Sequence, residues 1–230
     1  MKFRILIISV LTFFTLSASA QYKEYTFGVK IGPSWTWMTS TDATTLNHQT
    51  MTSFNFGVLV EKHFSEKFSL VTGITFDNYR GDYSFADKRS SHEFMPEQAV
   101  YVNRQYKGMY LNIPVLAKLK VAEIGAFSPY VQGGVNLSYR ISAKAMDKYD
   151  VGVYHYEDAS FRDVRSEFMS FNASFNLGVG TEFEINPKLK AFAQVIYNRS
   201  IFDLTSIKYH KDGGPRIYGN YIALELGIIL

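Results

Sequence analysis

A chain of 230 residues with 24 Lys and Arg against 21 Asp and Glu carries no basic excess of the kind that nucleic acid demands. Cysteine is absent, which excludes disulfides, thiolate metal sites and a lipidated N-terminal cysteine. Beyond the first twenty residues no stretch approaches the roughly 18 consecutive apolar residues of a membrane helix, so any crossing of a bilayer must be made by strands.

At the N-terminus, Lys2 and Arg4 precede the apolar run 5–14, and Ser17, Ala18, Ser19 and Ala20 follow it. This pattern predicts a secretory signal peptide over residues 1–20, cleaved after Ala20, and one mature domain over residues 21–230. Loss of the two leader cations lowers the formal net charge from +3 to +1.

From there the two-residue period of a strand recurs through the chain. The first strand, about 25–37, sets Phe27, Val29, Ile31, Trp35 and Trp37 against Gly28, Lys30, Gly32 and Ser34. The second, about 52–63, sets Phe54, Phe56, Val58 and Val60 against Ser53, Asn55, Gly57 and Glu61. After a short turn, Phe68, Leu70, Ile74 and Phe76 oppose Ser69, Gly73, Thr75 and Asp77. A polar connection over 81–98 leads to the fourth strand, about 101–120, where Leu111, Ile113, Val115, Ala117 and Leu119 alternate with Asn112, Lys118 and Lys120. Pro114 stands in its middle and cannot donate to a ladder, which calls for a bulge or a local break.

A turn at 122–126 precedes the fifth strand, with Phe127, Val131, Val135, Leu137 and Tyr139 opposite Tyr130, Gln132, Gly134, Asn136 and Arg140. A second long connection spans 143–165. The sixth strand opposes Phe171, Phe175, Leu177, Val179 and Phe183 to Asn172, Ser174, Asn176, Gly178, Gly180 and Glu182. The turn 186–188, a weakly alternating seventh strand at 189–201 and a loop at 203–217 follow. The last strand carries Ile222, Leu224, Leu226, Ile228 and Leu230 on one face.

Long and short connections alternate, which in an up-and-down barrel puts short turns at one rim and long loops at the other, the arrangement of outer-membrane barrels. Alternation alone leaves open whether the apolar face points inward or into lipid. The opposite face is mostly Gly, Ser and Asn with scattered charges, which suits a cramped lumen better than a wetted surface. The expected fold is therefore all-β, an eight-stranded antiparallel up-and-down transmembrane β-barrel. Trp35, Trp37, Tyr101 and Tyr139 then belong to an aromatic girdle at one interface, and Phe64, Phe68, Phe127 and Phe183 to one at the other. Closure of the last strand on the first groups Lys30, Glu225 and Glu61 in one region of the lumen, and Lys118 with Glu182 in a second, as interior ion pairs.

The chain resembles the PorT-like outer-membrane β-barrel family of Bacteroidetes. The resemblance rests on the junction of Ala20 and Gln21, FGVKIG at 27–32, Tyr110-Leu-x-Ile-Pro114 followed by AKLK, and PYVQGGVNLSY at 129–139. It implies an outer-membrane barrel, some relatives being accessories to protein secretion. Histidines 48, 92, 155 and 210 fall in long loops, and Tyr154-His155-Tyr156-Glu157-Asp158 puts an imidazole beside carboxylates, a weak signal for acid/base chemistry or a metal. Tyr149, Tyr154, Tyr156 and Phe161 make that loop a candidate partner surface. The reading is a non-catalytic barrel without cofactor or metal, in contact with outer-membrane lipid and with envelope or secretion proteins through its long extracellular loops. The alternatives are a small solute pore and a barrel-embedded hydrolase or acyltransferase.

Overall fold

The computed structural model describes residues 24–40, 46–47, 49–87, 100–151, 154–157, 160–207 and 215–230, so the expected signal peptide lies outside the described residues. In chain order the strands are β1 (Tyr25–Ser40), β2 (Leu46–Asn47), β3 (Met51–His63), β4 (Phe68–Asp87), β5 (Val100–Lys120), β6 (Phe127–Val151), β7 (Tyr154–Glu157), β8 (Arg162–Asp163), β9 (Phe171–Asn186), β10 (Leu189–Ser200) and β11 (Ile217–Ile229). Eight of them form the wall. β1 pairs with β3, β3 with β4, β4 with β5, β5 with β6, β6 with β9, β9 with β10 and β10 with β11, all antiparallel. β11 returns to β1, which closes the cylinder and leaves no wall strand with an open edge. The three short strands are additions, β2 to β4, and β7 and β8 to β6.

The pleat sorts the side chains. Phe27, Val29, Ile31, Phe54, Val131, Leu137, Phe175, Leu224 and Leu226 are exposed on the outer face, while Ser34, Asn55, Asn112, Asn136, Asn176 and Glu225 are buried inside. Polar groups within and apolar groups without reverse a soluble protein and suit a hydrocarbon surround.

The wall strands outrun their expected ends. β4 continues through Asp87, and the expected connection at 143–165 holds the end of β6 together with β7 and β8. At 20, 21 and 25 residues, β4, β5 and β6 are about twice the roughly 9–11 residues that a tilted strand needs to cross a bilayer. Their outer faces turn polar where the excess begins, at Asn78, Arg80, Asn103, Gln105 and Lys107, so the surplus stands above the apolar band at the loop rim. A bulge marks the change on β6. Met109 pairs with Ser142 and Tyr110 with Arg140, leaving Ile141 as the extra residue.

Pro114 breaks only one of its two ladders. Its pairing with Asn136 on β6 is continuous, whereas the β4 register runs from Val71 with Leu116 directly to Thr75 with Asn112. The missing N–H therefore faces β4, at the height of Gly73. That glycine has φ of 150°, a conformation unfavourable to residues with a Cβ, and a Cβ there would lie 2.1 Å from the Val58 carbonyl oxygen. Pro33 repeats the device. It stays in register with Phe54 on β3, while the β1–β11 register skips Gly32 and Pro33. Gly73→Ala is expected to destabilise the barrel by about 2–3 kcal/mol. Urea unfolding in lipid vesicles, followed by tryptophan fluorescence, measures this; an unchanged midpoint contradicts the proposed fit of proline to glycine.

Candidate functional site

Inward-facing positions of all eight wall strands converge on a charged network in the half of the lumen nearer the short turns. Lys30 Nζ donates to both oxygens of Glu225, at 2.8 and 3.0 Å. Gln194 Nε2 donates to Glu225 at 2.7 Å, and Gln194 Oε1 accepts from the Tyr130 hydroxyl at 2.8 Å. The Lys118 ammonium stands over the Tyr130 ring, 4.3 Å from its centroid, so the ring links two ionic groups. Lys118 pairs with Glu61 Oε2 at 2.9 Å and also with Glu182, which Lys120 reaches at 3.2 Å. Ser69 donates to Glu61. Each of these carboxylates thus has a cation beside it, which is the condition for ionised groups to persist away from bulk water.

Glu61 departs from the sequence-based grouping, in which it sits beside Lys30 and Glu225. On the β1–β3 ladder Lys30 faces Gly57 and Glu61 faces Thr26, so Glu61 is four residues closer to the turns. On the β3–β4 ladder Glu61 faces Val71, and two residues nearer the turn Ser69, which is opposite Lys118 on β5, donates to it. Barrel stagger, which strand periodicity does not encode, decides the partner. The space that remains around Lys30, Glu61, Lys118 and Tyr130 is about 30 Å³, room for roughly two or three waters.

The loop half of the lumen is filled differently. Tyr79, Tyr83, Tyr106, Tyr110 and Tyr221 are buried with Met38, Ile196 and Ile217. Tyr79 donates to Asn198 Oδ1 at 2.6 Å and Tyr221 to Asp77 Oδ2 at 2.7 Å, so each ring brings its own polar anchor. Above them the connections from β8 to β9 and from β10 to β11 cross the mouth and bond to each other. Met169 N donates to the Leu204 carbonyl and Ser206 N to the Glu167 carbonyl, both at 2.8 Å. Phe168 is pressed inward and stacks on Tyr106 with centroids 4.2 Å apart.

A charged latch holds this cover down. Arg104 binds Asp147 through two bonds, of 2.6 and 2.7 Å, and also donates to Glu167 in the single helical turn Arg165–Glu167. Arg162 donates to Glu167 at 3.2 Å. Outside the wall, Asp163 accepts from the Arg165 backbone N–H at 2.9 Å and from its guanidinium at 2.8 Å, which hold its carboxyl below the ordinary carboxylate range.

On the outer face, Trp35 and Tyr139 are exposed toward the loop rim. Trp37 is half-buried, 6.5 Å from the Tyr197 ring, and Tyr139 lies 5.0 Å from Phe171. Phe68 and Phe64 pair at 5.7 Å near the turns, as do Phe127 and Phe183 at 5.1 Å. The Tyr101 side chain is outside the described residues. So are His48, His92, His210 and Asp158; for Tyr154, His155 and Tyr156 only the backbone in β7 is described. His63 shares a hydrogen bond of 3.1 Å with Thr26 Oγ1 at the turn rim. Among the described residues no group of three or more His, Asp or Glu is placed to hold a metal.

Arg104, Asp147, Glu167 and the tyrosine stack are missing from the sequence-based site. Their signal was present for the tyrosines, since Val102, Arg104, Tyr106, Gly108 and Tyr110 continue the period of two inward from the recognised strand. Phe168 has no comparable signal, being placed by a loop. Lys118→Met is expected to cost about 3–5 kcal/mol because it leaves buried Glu61 without its lysine and Glu182 with Lys120 alone, and more than Lys30→Met, which touches one carboxylate. Urea unfolding of both variants in lipid vesicles checks the order; equal losses would contradict Lys118's role as the shared cation.

Among solved structures, Neisserial surface protein A is 13% identical over 89% of this chain and 96% of its own, with a TM-score of 0.44. Outer membrane protein OprG from Pseudomonas aeruginosa is 12% identical over 90% and 96%, with a TM-score of 0.41. The outer membrane protease OmpT from Escherichia coli is 10% identical over 94% and 99%, with a TM-score of 0.49. No curated protein sequence matches the chain. The family model described as outer membrane protein beta-barrel domain matches residues 17–206, most of the chain. With its closed eight-stranded wall and apolar exterior, the chain belongs to the outer membrane protein beta-barrel domain family and resides in the outer membrane.

Proposed function

We propose that the protein is a non-catalytic envelope or secretion accessory of the PorT-like kind, anchored by its barrel and acting through the extracellular extension of β4, β5 and β6 and the loops around it. The observation that carries this reading is the obstruction of the lumen at two levels. The ionic network around Lys118 fills the periplasmic half, and Phe168 and Leu204 fold over the tyrosine stack in the extracellular half. A solute would have to break buried ion pairs and lift a latched cover, so transport by free diffusion is disfavoured.

The long strands supply the positive side of the argument. Crossing the bilayer does not require the outer ten or so residues of β6, yet they form a sheet continuous with the wall and joined by β7 and β8. A rigid platform of this kind presents side chains to proteins outside the membrane without the ordering cost of a free loop.

Planar-bilayer recording of the purified protein separates this role from a pore. The expected trace has no steady open-channel level, and Arg104→Ala, which releases the latch, adds at most brief flickers. Steady conductance from the unmodified protein overturns the reading. Crosslinking in native envelopes is expected to trap a protein partner on the β4–β6 extension, through photoreactive residues at Gln105 or Lys148.

A further inference from the structure

Three cations stand in one row on the outer face of the barrel, just above its apolar band. Arg80 on β4 is directly opposite Lys107 on β5, and Lys107 is directly opposite Lys144 on β6. Cross-strand partners bring their Cβ atoms to about 4.5–5.5 Å, and like charges directly opposite one another destabilise a sheet. A row of three therefore carries a cost that no ion pair to these cations among the described residues offsets.

The surroundings do not neutralise it. Among the described residues none of the three cations makes an ion pair. Arg80 Nη1 donates to the Thr52 carbonyl at 3.1 Å, and Arg80 Nε is buried without a hydrogen-bond partner. The Lys107 ammonium lies over the Phe161 ring, 3.7 Å from the centroid, a contact that leaves its charge in place. Lys144 faces Asp163 across the β6–β8 ladder, but that carboxylate is held by Arg165 at 2.8 Å. Asp82 lies two residues beyond Arg80, further from the bilayer.

The row borders a depression of about 590 Å³ whose lower wall is Phe54, Asn78, Met109 and Ser142 and whose upper wall is the three cations. Four residues below Arg80 on β4, the aromatic level begins at Phe76, which pairs with Leu111, itself opposite Tyr139. Four residues of strand rise roughly 13 Å along a tilted axis, which puts the cations at headgroup height. The site is apolar below, cationic above and open to the side.

We propose that Arg80, Lys107 and Lys144 form a binding site for the phosphorylated headgroup of an anionic outer-leaflet lipid, whose upper acyl carbons rest against Phe54 and Met109. Phosphate oxygens satisfy the guanidinium fork and both ammonium groups together and remove the repulsion within the row. A lipid fits better than a free anion because the depression continues into the apolar band.

The test uses the folded full barrel in octyl glucoside, titrated with dihexanoyl phosphatidic acid, dihexanoyl phosphatidylcholine or inorganic phosphate, with binding read by native mass spectrometry. Phosphatidic acid is expected to bind in preference to the other two. The triple variant Arg80→Gln, Lys107→Gln, Lys144→Gln is expected to weaken that binding about a hundredfold, the order appropriate to three cations at an anionic surface. A control with Lys67→Gln and Lys188→Gln on the periplasmic turns retains it. Lys144→Gln alone, at an exposed position, gives a partial loss and stands in should the triple variant lose its heat-modifiable gel migration. Equal binding by the triple variant and the unmodified protein overturns the site. Inorganic phosphate binding as tightly as the lipid overturns the lipid as its occupant, and equal loss in the control reduces the effect to net charge.

Discussion

The constraint from which this structure follows is that hydrocarbon offers a backbone no hydrogen-bond partners, so every peptide group in the wall must find one within the sheet. The ladder between β1 and β11 meets it. Phe27 and Leu230 exchange backbone bonds of 3.3 and 2.7 Å, and the register continues from Gly28 with Ile229 toward the loop rim. The two wall prolines, Pro33 and Pro114, are tolerable under this rule because each keeps one ladder intact. Each opens the other beside a glycine, Gly32 or Gly73, where a Cβ would collide with a carbonyl of a neighbouring strand. Where a donor is absent, the sheet changes its local geometry on one side only and remains closed.

Closure with an apolar exterior sends every second side chain into a narrow bore, and the filling of that bore decides what the barrel can do. Near the short turns, Lys30, Lys118 and Lys120 stand against Glu225, Glu61 and Glu182, and the pairs share Gln194 and Tyr130 as neutral links. Further out, tyrosines replace charges: the Tyr79 hydroxyl ends on Asn198, that of Tyr221 on Asp77, and those of Tyr106 and Tyr110 on each other. The two halves solve the same problem with different chemistry. Ion pairs need shared low-dielectric geometry, whereas a tyrosine supplies bulk and one satisfiable polar atom.

Much of this was legible in the chain. Strand identity, the outward set and the inward set came from a period of two, and the set of polar inward residues pointed to lipid outside. Strand ends were not legible, because polar outer residues such as Asn78, Arg80, Gln105 and Lys107 look like loop once the apolar signal stops, although the inward tyrosines keep the period. The bulge at Ile141 shifts the phase of β6, so residues beyond it read as irregular. Glu61 lines the same cavity as Lys30, but its cation is Lys118, a choice set by barrel stagger that strand order does not carry. The cover built by Phe168 and Leu204 depends on two connections distant in sequence meeting over the mouth, which no local pattern carries.

A cylinder whose bore is tied by ion pairs and stacked rings leaves its exterior as the surface least bound to the fold. Buried ion pairs tie the lumen down, since removing one partner strands the other, and the tyrosine stack ties down the mouth. The outer face above the band is tied more lightly, by exposed pairs such as Asp163 with Arg165 and Lys148 with Glu157. Repulsion among Arg80, Lys107 and Lys144 is accordingly an informative feature of that region, because a solvated sheet surface offers many ways to separate three cations and none is used. An arrangement that costs the free protein stability is accounted for by what it gains when occupied. The bilayer supplies phosphate at that height, so the protein's lipid surroundings become part of its structure rather than a passive solvent.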